Sequence, residues 1–100
     1  MQFLVLGYDR TDEGALDRRM ALRDAHIALA KTLQASGNLL YGVAMLDEHG
    51  RMCGSVLVME FDSRDRLDRY LQGEPYVTGK VWERWVVIPC KVGPMFTAVR

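Results

Sequence analysis

Apolar positions along the chain switch between two periods, and the switches predict the order of elements. Phe3–Tyr8 is a short apolar run of strand formers, closed by Gly7 and the polar stretch Asp9–Asp12. Thr11 or Asp12 then offers a cap for a helix, with Glu13 adding favourable charge in its first turn. Over Leu16–Leu33, at about 100° per residue, Leu16, Met20, Leu22, Ile27, Leu29, Ala30 and Leu33 share one broad arc. Asp17, Asp24, Ala28, Lys31 and Thr32 fall opposite, as a solvated face requires. The helix extends to about Ser36, where Gly37-Asn38 supplies a left-handed stop. Leu39–Leu46 reads as a second strand, Asp47–Gly50 as a compact turn and Arg51–Phe61 as a third strand, which together make a hairpin. Ser63 caps a second helix whose Leu67, Tyr70 and Leu71 share a face, and Gly73 ends it. Pro75 pushes Glu74 into an extended conformation, and Val81–Pro89 forms a last strand. The tail Val92–Arg100, with Gly93-Pro94, reads as an arm or an extra edge strand.

The order β-α-β-β-α-β predicts an α+β fold: a ferredoxin-like antiparallel sheet with two helices on one face, in one domain over residues 1–100. In the third strand Cys53, Ser55, Leu57, Met59 and Phe61 point one way and Met52, Gly54, Val56 and Val58 the other. In the first strand Phe3 and Val5 oppose Leu4 and Leu6; in the last, Trp85 and Val87 oppose Trp82, Val86 and Ile88. Both faces are apolar, yet two helices cover only one. A second copy packed sheet on sheet is the expected cover, giving a homodimer of the dimeric α+β barrel kind.

Composition narrows the function classes. Lys and Arg total 13, as do Asp and Glu, so no net field recommends nucleic acid or an anionic membrane as partner. The third strand also lacks the aromatic and basic pattern of an RNA-reading sheet. Apolar runs are too short to span a bilayer, and no basic segment precedes the first strand as a secretory signal would. Cys53 and Cys90 complete no metal box, so no metal is expected; they read as reduced thiols in a cytoplasmic protein.

Candidate chemistry lies on the first helix. Arg19, Arg23 and His26 land inside its apolar arc, where polar groups are costly without partners. Histidine is the side chain best suited to take or give a proton at working pH, so His26 is the leading proton carrier, against the alternative of a core histidine bonded to a backbone carbonyl. Arg23 suits an anionic substrate oxygen or a structural carboxylate; Arg19 reads as snorkelling at the arc's edge. Glu74, in the polar break before the last strand, is the natural partner to reach His26 and fix its tautomer, against the alternative of an exposed loop acid. Ser55, the one hydroxyl of its strand face, donates to a ligand or bonds a neighbouring strand, and Tyr76 is a phenolic donor or a packing residue. His49 belongs to a solvated turn.

Several short motifs fall in order on these elements: Arg23-Asp24-Ala25-His26 on the first helix, Gly42-Val43-Ala44-Met45 on the second strand and Gly54-Ser55 opening the third. Glu74-Pro75-Tyr76-Val77 follows the second helix, and the aromatic last strand ends in Ile88-Pro89. With these, over about its first ninety residues, the chain resembles the YciI-like family of small dimeric α+β barrels, whose R-x-x-H and D-P-Y/F stretches the first and fourth motifs are similar to. The resemblance implies a His–acid dyad of His26 and Glu74, with Glu standing where Asp is usual. It also implies proton transfer of the kind used by a dehydrochlorinase branch and by related muconolactone isomerases. The expected function is thus a lyase or isomerase without metal or organic cofactor, acting on a small polar, aromatic or lactone-like substrate. His26 and Glu74 would be catalytic, and Arg23, Ser55 and Tyr76 would bind substrate. The alternatives are a dimeric ligand-binding or sensor module using the same pocket, and a haem-binding barrel with His26 on iron.

Overall fold

The computed structural model describes residues 1–99. Its elements are β1 (Gln2–Asp9), α1 (Ala15–Ala35), β2 (Leu39–Leu46), β3 (Met52–Glu60), α2 (Arg64–Gly73), a short α3 (Pro75–Thr78) and β4 (Trp82–Cys90). The strands form one antiparallel sheet in the order β2-β3-β1-β4, with the helices on one face. This is the ferredoxin-like α+β plan that the element order predicts.

Local chemistry accounts for most boundaries. Gly37 takes φ +82° after α1, and Asn38 N–H bonds the Leu33 carbonyl at 2.8 Å, closing the helix as a left-handed stop does. Ser63 accepts from Arg66 N–H at 3.2 Å and caps α2. The start of α1 differs from expectation: its N-cap is Gly14 without a side-chain bond, because Asp12 instead pairs with Arg18 at 2.9 Å. Pro75 holds Glu74 extended (φ −67°, ψ 124°), as expected, and then opens α3 from its first position. The tail is no edge strand; Pro94–Val99 coils into a 3-10 turn, where Pro94 cannot donate to a ladder, and Arg100 lies outside the described residues.

The core lies between the sheet and the helices. Phe3 and Val5 of β1 and Leu57 and Met59 of β3 pack on Leu67 and Leu71 of α2, with Leu22 and Leu33 of α1 closing over them. The other face carries Leu4, Leu6, Val56 and Val58 with the exposed Val43 and Ile88 (48% and 42%). In β4 the expected alternation fails at one point. Tyr8 pairs with Arg84 but Asp9 with Trp82, so Glu83 is an extra residue. Such a bulge inverts side-chain parity. Trp82 therefore joins Trp85 and Val87 on the helix side, where it is 1% exposed.

That rotation explains Gly7. A Cβ there would come within 2.2 Å of the Trp82 indole, which fills the space above the strand. Gly7→Ala is expected to cost about 1–3 kcal/mol by overpacking, read as a lowered urea midpoint; an unchanged midpoint would refute the account.

Candidate functional site

Helix α1 buries two residues fully, and both are polar: Arg19 and His26. Their seven-residue spacing puts them two turns apart on one stripe, facing the sheet. Met20, expected in the apolar arc, sits about 100° from that stripe and is half exposed. The residues drawn as the solvated face, Asp17, Asp24, Ala28, Lys31 and Thr32, are all exposed.

His26 finds the partner the sequence suggested. Its Nδ1 lies 2.6 Å from Glu74 Oε1, with side chains 10% and 1% exposed. The helix break at Pro75 aims Glu74 inward between α2 and α3. The same oxygen accepts Tyr76 N–H at 3.3 Å, and Oε2 accepts the Tyr70 hydroxyl. Donors therefore surround the carboxylate, and the arrangement that satisfies all of them places a hydrogen on Nδ1. Nε2 is then the ring nitrogen with a free lone pair.

Arg19 does not snorkel. It is 3% exposed, and its Nη1 grips both oxygens of Asp9 at 2.9 and 3.1 Å while Nη2 donates to Ser55 Oγ at 2.9 Å. The reason is parity: Phe3, Val5, Gly7 and Asp9 all point inward from β1, so a carboxylate waits where the guanidinium would otherwise be unpaired. Burial pushes the Asp9 carboxyl up, and the Arg19 charge and hydrogen bond pull against that. The Tyr76 ring joins the two polar clusters. It stacks on His26 at 4.0 Å and 10°, and the Arg19 guanidinium carbon lies 4.7 Å from its centroid. Burial also pushes its phenol up, against the opposing charges of Arg19 and Arg23.

A cavity of about 520 Å³ runs between α1 and the β2 edge, lined by Arg19, Arg23, His26, Ser55 and Tyr76. The helix-facing positions of β2, Gly42 and Ala44, also border it; their small side chains leave the room beneath α1. Four of the five expected site residues thus share one cavity, and Glu74 stands behind His26. Arg23 is half-buried and makes no ion pair among the described residues. His49 is exposed, as are the free thiols Cys53 and Cys90. Among the described residues no three His, Cys, Asp or Glu side chains gather as a metal site needs. No helix of the described residues is long and apolar enough to cross a membrane. Sequence reasoning does not find Asp9, Arg19 and Tyr70 as partners, though Asp9 keeps the inward parity of β1 and Tyr70 lies one turn before Glu74.

Fold and site together define a small ferredoxin-like α+β protein with a buried histidine–carboxylate pair beside an open cavity. The sequence profile of the YCII-related domain matches residues 1–91, and the chain belongs to that family. It is 29% identical over 97 aligned residues to Protein YciI of Escherichia coli O6:H1 and to that of Shigella flexneri, covering 91% of this chain and 97% of each relative. Among solved structures it is similar to 5-chloro-2-hydroxyhydroquinone dehydrochlorinase from Burkholderia phenoliruptrix AC1100, in complex with 2,5-dihydroxybenzoquinone. That match has a TM-score of 0.81 and 27% identity over 95% of this chain and 98% of the other. A dimeric ferredoxin-like protein of unknown function from Jannaschia sp. CCS1 shares the fold, at TM-score 0.56 and 15% identity over 91% of this chain and 98% of that one.

Removing Arg19 leaves the Asp9 carboxylate buried and unpaired. Arg19→Leu is expected to lower unfolding stability by about 3–5 kcal/mol, and adding Asp9→Asn should restore part of the loss. Equal urea midpoints for wild type and Arg19→Leu would contradict the pairing.

Proposed function

We propose that this chain is an enzyme in which His26 moves a proton for an elimination or isomerisation of a small polar aromatic or lactone-like substrate. The observation that carries this reading is the 2.6 Å contact of His26 Nδ1 with buried Glu74, beside a cavity large enough for a single ring. Nε2 takes a substrate proton. The electron pair left behind then either expels a leaving group with its own electrons or shifts so that the proton returns at a neighbouring carbon. Glu74 keeps Nδ1 protonated and offsets the imidazolium charge. Arg23 holds the oxygen on which negative charge grows, and Tyr76 donates to the same ring. Ser55, which accepts from Arg19, keeps its own hydroxyl hydrogen for the cavity. The reaction uses no metal and no organic cofactor. The resemblance to the dehydrochlorinase makes chlorinated hydroxyaromatics the first compounds to assay.

With an active compound in hand, His26→Ala is expected to lower turnover by about 10²–10⁴-fold, measured as chloride release or loss of substrate absorbance. Undiminished turnover sinks the assignment. A bound compound recovered unchanged would make the protein a ligand-binding module.

The working form in this reading is a homodimer of single-domain chains in the reducing cytoplasm. Its support is the apolar sheet face that no helix covers. Val43→Lys with Ile88→Lys puts two charges on that face and is expected to halve the mass in sedimentation. Wild type already sedimenting as a monomer would remove the dimer.

A further inference from the structure

Tyr70 takes no part in the chemistry described above, yet it is tied to it. It lies on α2 one turn before Glu74, and its hydroxyl donates to Glu74 Oε2, the oxygen that His26 does not use. The phenol is itself held: its ring stacks on Phe61, with centroids 5.9 Å apart and planes at 23°. Tyr70 borders a separate polar cavity with Arg66, Arg69 and Asn38, so it does not touch a ligand beside His26. Any influence it has on that ring passes through Glu74.

We propose that Tyr70 is a positioning residue: by holding the far oxygen of Glu74 it keeps the near oxygen on His26 Nδ1 and locks the imidazole in one tautomer. The proposal rests on the reading of His26 as the proton carrier and adds the residue that fixes its state. A glutamate has one more rotatable bond than an aspartate. A carboxylate held at one oxygen can swing about its last torsion; held at both, it cannot. The tyrosine therefore gives the longer acid a fixed placement. Tyr70 also keeps its proton. Burial first, then the Glu74 charge and its hydrogen bond, push the phenol well above its ordinary range, so it remains a donor across the working pH span.

The test is an NMR titration of His26 in ¹⁵N-labelled wild type and Tyr70→Phe, which needs no substrate. Besides Glu74, the charged and titratable groups around the ring are Arg19, Arg23 and Lys31 on its own helix, Tyr76 on α3, Tyr41 on β2 and Asp9 on β1. All are common to both proteins, so the difference reports Tyr70. Wild type is expected to hold its neutral-form proton on Nδ1. Once the carboxylate can swing off Nδ1, the imidazolium loses its held counter-charge. The midpoint in Tyr70→Phe should fall by about one pH unit, tenfold in the protonation constant, with the Nε2–H tautomer newly populated. An unchanged or raised midpoint, or a neutral form that stays wholly Nδ1–H, overturns the proposal. If Tyr70→Phe does not fold, the wild-type Tyr70 hydroxyl proton decides: a downfield, slowly exchanging signal supports the lock, and its absence refutes it. A His26→Ala enzyme with full turnover would remove the catalytic reading and leave this assignment standing, so the two fail separately.

Discussion

An ionisable side chain withdrawn from water needs a partner for its charge or proton, and that constraint organises this molecule. Helix α1 turns Arg19 and His26 toward the sheet and buries both. Unpaired, either would cost more than a small domain can spare. Each is met by a carboxylate from elsewhere in the chain: Asp9 at the end of β1, Glu74 in the break between α2 and α3. Two polar clamps thus fix α1 at two points two turns apart, one to the sheet and one to the second helical layer. Tyr76 ties them together through its contacts with both. The apolar core sets the layers against each other; the clamps set the register of α1 along them. Apolar contacts alone would leave that register free to slide, because Leu22 and Leu33 tolerate small shifts that a charged pair does not.

The sequence made legible whatever is local or periodic. The strand alternation, the Gly37 stop, the Ser63 cap and the extended Glu74 before Pro75 all rest on one residue and its neighbours. Glu74 was readable as the partner of His26 because two cues coincided, a polar residue inside an apolar helical arc and an acid at a forced break. What escaped depends on events between elements. The bulge at Glu83 is invisible in β4 itself, since it arises from register against β1, and it alone sends Trp82 to the helix side. From sequence Arg19 reads as snorkelling because no counter-charge marks itself beside it in the helical pattern; the counter-charge sits at the end of β1. Tyr70 has the spacing of a core residue and serves as one, and the task of its hydroxyl emerges only once Glu74 is in place.

The charge inventory of the cavity bears on which reactions such a site would favour. Arg19 is offset by Asp9, and the Glu74 carboxylate is held by hydrogen bonds from His26, Tyr70 and Tyr76. Arg23 lines the same cavity without an ion pair among the described residues. A positive charge held beside a base acts most strongly on negative charge that appears as the proton leaves, because that charge is absent in the ground state. For an elimination or isomerisation begun by deprotonation, the ionised oxygen of the substrate is such a charge. Spaced three residues apart on one face of α1, Arg23 and His26 reach the cavity as neighbours. The same helix that needs two buried clamps to hold its register therefore also sets His26 and Arg23 at a fixed separation. The placement of both side chains against the cavity thus depends on the register of α1.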